Sequence, residues 1–525
     1  MHSTPNLSGD FVQQLIAALG SDRILTGDAV VPYATDVYRS REIPLAVARP
    51  GSVAELQTAV RTATAAGVAV FTRGGGASYT DGYLPTCTQS LLIDMGGLNR
   101  IVEINELDGY VTVEAGITWA ALKSALDQRG FRTPFFGPFS GIAATVGGSI
   151  SQHAVSHGSA AHGIGAQSVI SMDVVTASGE LIRTGSAARG GTPFMRWYGP
   201  DLAGLFTGDC GVLGIKSQIT LAIRKRLPAY ECASFGFDSL EAMASAMRSV
   251  ALEGIDDEHF AMDAALSRGQ LARQARISKV TTAKALVMAA PSRLAGLKQL
   301  LRSAISGTRQ LRNSAYTVHF IMEGIDQSEA RTKARRLRML MQQGDGFEIA
   351  NTVSAVVRGT PFAPLFNTLG PNGERWAPVH GYLPHSKVAE FHRAASEFLA
   401  ARDAEMKRLG VWCGGMFMTL GTSAFLYELA LYWPGAPSPY HTMTLPQAYL
   451  QALPQTPHDA EVAAFVDQLK KDLVALYSKY HAVPFQLGKV YPYASVLAPQ
   501  PLSLLRAIKH TLDPKNLMNP GGLEL

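Results

Sequence analysis

Hydrophobic and polar positions alternate in short runs over the first 225 residues, then settle into a longer strand–helix rhythm. Residues 11–19 predict a short opening helix. Residues 46–50 predict a strand, and residues 52–66 an amphipathic helix that Ser52 is placed to cap. A short apolar strand, 68–71, runs almost directly into Gly74-Gly75-Gly76. Strands follow at 91–94, 110–114 and 213–223, with one helix at 119–129. Residues 168–177 and 180–184 flank Ser178-Gly179 as a hairpin. The pattern is that of one α+β domain in two lobes.

After Pro228 the periodicity changes. Strands at 230–237, 283–289 and 316–322 alternate with helices at 239–252, 292–305 and 327–343, which predicts a separate α/β cap built on an antiparallel sheet. Residues 411–433 are nearly free of charge and long enough for a membrane helix. Their glycines and the central Glu428 argue instead for buried strands, because a carboxylate in lipid is expensive. The tail holds a helix at 503–511 and ends in Leu-Asp-Pro-Lys-Asn-Leu-Met-Asn-Pro-Gly. The division expected is 1–226, 227–488 and a C-terminal return at 489–525.

Bulk properties narrow the class. A chain of 525 residues exceeds one ordinary core. At 47% hydrophobic and 17% charged, with 50 glycines, it is folded and rich in loops. A formal charge of +5 suits an anionic small ligand and does not mark a nucleic-acid binder. Cys87, Cys210, Cys232 and Cys413 are scattered without metal or redox-pair spacing, so a reduced, cytoplasmic protein is expected. The start lacks the pattern of a signal peptide, and no integral membrane segment is expected. The basic stretch 328–338 reads as a solvated helix face, with docking to an anionic membrane as the minor alternative.

The chemistry concentrates in glycine. Gly74, Gly75 and Gly76 can take backbone angles closed to other residues and can turn several N–H groups into one concavity, an anion site. Arg73 adds charge and Ser78 a hydroxyl. Three more glycine-rich passages follow within the same domain: 137–151, 157–165 and 199–215. Together they suggest backbone packed against an extended ligand. A Walker-type phosphate loop is absent, and Gly163-x-Gly165 lacks the rest of a Rossmann fingerprint.

In this combination the chain resembles the FAD-linked oxidases with a vanillyl-alcohol-oxidase, PCMH-type flavin domain, relatives of the D-lactate and glycolate dehydrogenases. Arg-Gly-Gly-Gly resembles the family's pyrophosphate loop. The segments "LLIDMGGLNRIVEINELDGYVTVEAGITWAAL", "TVGGSIS", "MDVVTASGELIRTG", "GPDLAGLFTGDCGVLGI" and "LDPKNLMNP" follow in family order, so the likeness runs over nearly the whole chain. It implies a two-lobed PCMH-type FAD-binding domain, a substrate cap, and FAD as cofactor. The implied cofactor residues are Arg73, Gly74, Gly75, Gly76, Ala77, Ser78 and Tyr79 in the first loop, then Pro138, Thr145, Gly147, Gly148 and Ser151. Gly211, Gly214, Ile215 and Asn519 complete the set.

Departures from the family pattern matter. Ala77 and Ser78 stand where many covalent-flavin members carry histidine, so linkage at that loop is excluded and non-covalent FAD is expected. His441 and His481 are the remaining cap candidates for a link. The family's Gly-Ser-Glu-Gly becomes Gly208-Asp209-Cys210-Gly211, with Cys210 read as a packed thiol rather than a redox group.

The resemblance implies a hydride passed from a substrate carbon to the flavin, aided by a base from the cap or the C-terminal return. His380 and His385, Tyr427, Tyr432, His481, Lys489 and Tyr491 are the candidates for base or anion clamp. The α-hydroxy-acid metal cluster of many relatives is missing; Gly414-Gly415-Met416-Phe417 stands in that region, and no metal site is expected. Trp412, Phe417, Phe425, Tyr427, Tyr432, Trp433 and Tyr440 favour an aromatic or other bulky alcohol or a para-substituted phenol. A D-2-hydroxy acid is the alternative, and a non-catalytic electron-transfer subunit the remote one. The small-molecule substrate, the acceptor (dioxygen, cytochrome or quinone) and a homo-oligomeric state are left open.

Overall fold

The computed structural model describes residues 7–276, 314–362 and 364–525. Side chains of residues 7–8 and 273–276 are outside this description. The predicted strand at 283–289 and helix at 292–305 lie outside the described residues.

The first lobe is a four-stranded sheet in the order β1-β2-β4-β3, with β1 Ile24–Leu25, β2 Ala46–Ala48, β3 Ala69–Arg73 and β4 Ser90–Asp94. Strands β2, β4 and β3 are parallel, and the helix Val53–Ala65 makes the crossover. Ser52 caps that helix by accepting from the Glu55 N–H at 3.2 Å. The parallel strands are buried on both faces, which is why they read as unbroken apolar runs.

The second lobe begins with β5 (Ile101–Asn105) and β6 (Tyr110–Glu114). After β7 (Phe131–Arg132) come β8 (Val169–Val175), β9 (Leu181–Arg183) and β10 (Ile215–Ala222). The sheet order is β5-β6-β10-β8-β9, all antiparallel, and β7 pairs separately with β11 (Arg224–Lys225). The chain's end returns to the first lobe: the Val70 N–H donates to the Leu517 carbonyl at 2.7 Å, and the Asn519 N–H to the Val70 carbonyl at 2.8 Å.

Beyond residue 228 one seven-stranded antiparallel sheet dominates. It contains β12 (Ala229–Phe237), β13 (Glu258–Asp263), β14 (Tyr316–Gly324), β15 (Phe347–Ile349), β16 (Arg375–Pro384), β17 (Trp412–Leu420) and β18 (Ala424–Trp433), in the order β15-β12-β14-β13-β17-β18-β16. The apolar run 411–433 is therefore the β17–β18 hairpin, as Glu428 and the glycines required. Helices Leu240–Glu253, Gln327–Gln343 and Val388–Ala400 supply apolar residues to the core under one sheet face. On β18, Phe425, Tyr427, Leu429 and Leu431 point into that helical core, whereas Leu426, Glu428, Ala430 and Tyr432 point the other way. This strict period of two decides what faces the site.

Candidate active site

A cavity of about 650 Å³ lies between the flavin-type domain and the exposed face of the cap sheet. One wall is the glycine-rich backbone anticipated from sequence, including Gly74 to Tyr79, Pro138, Thr145, Gly147, Gly148 and Ser151. Gly211, Gly214 and Ile215 border the same space. The glycines are obligatory for packing. A Cβ on Gly75 would lie 1.7 Å from the Ala143 carbonyl oxygen, and one on Gly147 would lie 2.7 Å from Ala115 Cβ. Gly76 sits at φ +70°, a region that favours glycine.

Backbone N–H groups from Gly75 to Ser78 line the cavity and donate to no acceptor among the described residues. Buried N–H groups rarely stay unpaired, so an acceptor-rich ligand belongs here. Gln152 Oε1 is a further buried acceptor on this wall without a partner. The lining fits FAD: the unpaired N–H row suits a pyrophosphate, and the cavity runs on along the other glycine-rich passages, as an extended dinucleotide requires.

The structure moves two of the expected cofactor residues off the wall. Arg73 lies beneath the loop, its guanidinium 5.1 Å from the Tyr33 ring centre and 5.7 Å from that of Tyr83. Asn519 is a brace. Its Nδ2 donates to the carbonyls of Gly82 (2.9 Å) and Cys210 (2.6 Å). Lys489 joins it, donating to Asn519 Oδ1 at 2.7 Å and to the carbonyls of Asp81 and Gly82 at 3.1 and 3.2 Å. With its charge committed to these acceptors, Lys489 holds the cradle and faces no substrate. Burial pushes the Cys210 thiol up to about 12, so it stays protonated on the cavity wall.

The cap residues sort by strand parity. Tyr432 lines the cavity and stacks on Trp412 at 3.8 Å. Tyr427, one residue out of phase with it, is buried on the opposite face with its Oη 2.7 Å from His392 Nδ1. His380 is wholly buried, 3.8 Å from the Phe485 ring in a stack, with both ring nitrogens unpartnered among the described residues. Burial lowers its pKa to about 3 and keeps it neutral. It lies beside Glu428 on the same sheet face, covered by Tyr79 and Phe485, and the Tyr491 hydroxyl accepts from its backbone N–H at 2.9 Å. His481 is exposed just past the helix Ala460–Lys479. His441 is buried with both nitrogens engaged, at Ser438 and at the Thr368 carbonyl. Neither candidate linker lines the cavity.

Glu428 is the residue that sequence reasoning passed over as chemistry. It faces the cavity from β18, directly opposite His380 in the β16 register. It is 7% exposed, has no ion-pair partner among the described residues, and is the only carboxylate on the described lining. Burial alone pushes its pKa up to about 8. Around it the cap wall is mainly apolar, with Phe260, Met262, Met416, Leu426 and Tyr432, and the polar cap residues Ser267, Gln270, Asn367 and Thr368 border the same space. The one cation on the described lining, Lys216, comes from the flavin-type domain and is paired with buried Asp209. No cluster of metal-binding side chains occurs among the described residues.

Comparison with known proteins agrees with this geometry. Residues 44–185 match the family described as FAD binding domain. The glycolate oxidase subunit GlcD of Escherichia coli K12 is 27% identical over 240 residues, 45% of this chain and 46% of that protein. A D-2-hydroxyglutarate dehydrogenase of Xanthomonas citri is 32% identical over 34% of this chain and 37% of its own length. The chain thus spans about half the length, or less, of these curated relatives. Substrate-bound p-cresol methylhydroxylase shares the fold with a TM-score of 0.73 at 16% identity, covering 99% of this chain and 97% of that one. A 4-ethylphenol oxidase from Gulosibacter chungangensis does so at 0.67 and 16%, covering 99% and 98%. Residues 44–185 carry an FAD-binding domain, and the chain shares its fold over nearly its whole length with p-cresol methylhydroxylase.

Proposed function

We propose that the protein is an FAD-dependent oxidoreductase that takes a hydride from the carbon of an aromatic or other bulky alcohol, or of a para-substituted phenol. The observation that carries this reading is Glu428, the only carboxylate on the described lining, without an ion-pair partner and set among Phe260, Met262, Met416, Leu426 and Tyr432. Bound FAD supplies the hydride acceptor. Glu428, once deprotonated, takes the substrate hydroxyl proton on Oε as the hydride leaves. The aromatic wall, including Tyr432 and Trp376, holds the apolar body of the substrate and excludes water. Neutral His380 stands beside Glu428 on the same sheet face, and burial holds the carboxyl pKa high. Lys489 and Asn519 position the cradle.

A second reading, a D-2-hydroxy acid, is favoured by the names of the curated relatives. Against it stands the lining: no unpaired cation among the described residues meets a substrate carboxylate. Anaerobic stopped-flow at the flavin absorbance band, with matched panels of benzylic or phenolic alcohols and of 2-hydroxy acids, separates the two. Rapid bleaching by the aromatic panel alone is expected. Bleaching by hydroxy acids alone overturns the proposal.

A further inference from the structure

An exposed segment, residues 190–205, connects β9 to β10 and ends in the short helix Leu202–Leu205. Phe194, Met195, Trp197 and Tyr198 on this loop are 60, 46, 65 and 53% exposed, and Leu202 and Leu205 extend the patch. Isolated exposed apolar side chains are ordinary, but this many in one short loop mark a contact surface.

The loop is built rather than slack. Ser186 Oγ accepts from the N–H groups of Phe194 (3.0 Å) and Met195 (3.2 Å) and donates to the Thr192 carbonyl at 2.7 Å. The Ser186 N–H donates to the Met195 carbonyl at 2.8 Å. Arg196 is fixed to Asp201 at 2.8 Å and to the Ala166 carbonyl at 2.7 Å. Beyond these anchors the loop is open: a Cβ on Gly190, Gly191 or Gly199 would meet nothing within 4 Å. The backbone is therefore anchored while large apolar side chains stay exposed, and little ordering entropy remains to be lost on docking.

Charge points to the occupant. Of Arg183, Arg189 and Arg196 in residues 181–208, Arg183 pairs with Asp173 and Arg196 with Asp201, and exposed Arg189 has no ion-pair partner among the described residues. Arg189 lies 5.7 Å from the Tyr198 ring centre and Arg196 5.0 Å from that of Trp197. Tryptophan and tyrosine interleaved with arginine suit a lipid headgroup layer, where rings sit at the interface and guanidinium groups meet phosphates. The basic helix Gln327–Gln343 is less suited, because it carries no aromatic residue and Arg331, Arg336 and Arg338 face Glu231, Glu253 and Glu348. We propose that the 190–205 loop docks the protein on an anionic phospholipid surface, with Phe194 and Trp197 entering the headgroup layer and Arg189 on lipid phosphates. No described helix is long and apolar enough to cross a membrane, so this attachment is peripheral and reversible. The proposal stands independently of the substrate reading.

Flotation of the FAD-loaded protein with phosphatidylcholine vesicles containing about 30% phosphatidylglycerol tests it. Wild type is expected to float with these vesicles, and its tryptophan emission to shift to the blue. The variant Phe194→Ser/Trp197→Ser should partition about tenfold less or worse. Arg189→Glu should weaken binding to the anionic vesicles and spare weak binding to neutral ones. Flavin content and unchanged turnover report that each variant is folded. The idea is overturned if wild type stays at the bottom of the gradient, or if both variants float as well as wild type. It is equally overturned if sedimentation shows a dimer that Phe194→Ser/Trp197→Ser dissolves while wild type ignores vesicles.

Discussion

Replacing Glu428 by Gln tests the site where its chemistry and its stability meet. In the folded protein burial pushes this carboxyl up to about 8, from 4.5 when solvated. Between those values the folded state keeps a proton that the unfolded chain has released, so raising the pH favours unfolding. Each pH unit within that window is worth about 1.4 kcal/mol, so this one group withdraws at most about 5 kcal/mol from stability by pH 8. Glutamine has no such proton. The stability difference between E428Q and wild type should therefore be small at pH 5, grow steadily in favour of the variant up to pH 8, and then level off. Comparing the two proteins over a pH series cancels the other titrating groups. Catalysis should move the opposite way. A base must be deprotonated to act, so wild-type kcat/KM should rise about tenfold per unit below pH 8 and then flatten. E428Q should be slower by about 10²- to 10⁴-fold, with that rise abolished. Thermal melts and anaerobic flavin reduction, each from pH 5 to 9, read both effects. An E428Q enzyme with the wild-type rate and pH profile would refute the role assigned to Glu428.

Other consequences are as direct. Gly75→Ala forces a Cβ against the Ala143 carbonyl; overpacking of about 1–3 kcal/mol should weaken FAD binding about 10- to 100-fold, read as the ratio of flavin to protein absorbance after purification. Lys489→Met strands the Asp81 and Gly82 carbonyls and Asn519; it should cost about 2–3 kcal/mol in denaturant melts, and losing flavin reduction with flavin still fully bound and the fold equally stable would refute the brace. Tyr427→Phe loses only its contact with His392; about 1 kcal/mol of stability should go while the rate of flavin reduction holds.

Much of the scaffold was legible because local signals agreed. Ser52 at its cap, the full length of the helix Gln327–Gln343, and the hairpin of β8 and β9 all follow from periodicity and turn chemistry. The cradle was legible because only glycine tolerates such close backbone contact, and the four glycine passages named it. Strand β5 escaped because its sequence, Ile-Val-Glu-Ile-Asn, lies at a sheet edge with Val102 half-exposed and no clean alternation. The cap chemistry escaped for a different reason. Residue type favoured histidine, tyrosine and lysine, whereas the sheet selects by parity. Tyr427 and Tyr432 sit an odd number of positions apart on one strand, so both could never face one cavity. The same parity pairs Tyr432 with Glu428, a signal present in the sequence once 424–433 is taken as a strand.

That parity also explains why a carboxyl persists in so apolar a wall. A residue at position 428 must face either the helical core or the cavity, and the cavity face is the one that a substrate and FAD complete. In the core, an unpaired carboxyl would meet only aliphatic and aromatic side chains. On the cavity face its partner is supplied by the reacting molecule, as a hydroxyl proton. The brace of Lys489 and Asn519 makes this arrangement durable: it ties Asp81, Gly82, Cys210 and the C-terminal return into one hydrogen-bonded unit. The FAD wall is thus fixed by polar contacts within the flavin-type domain, while the cap contributes a mainly apolar face carrying one acid. Substrate choice can then change through the cap residues on alternate β18 positions without disturbing the cofactor cradle, which is the division of labour expected when function is grafted onto a shared fold.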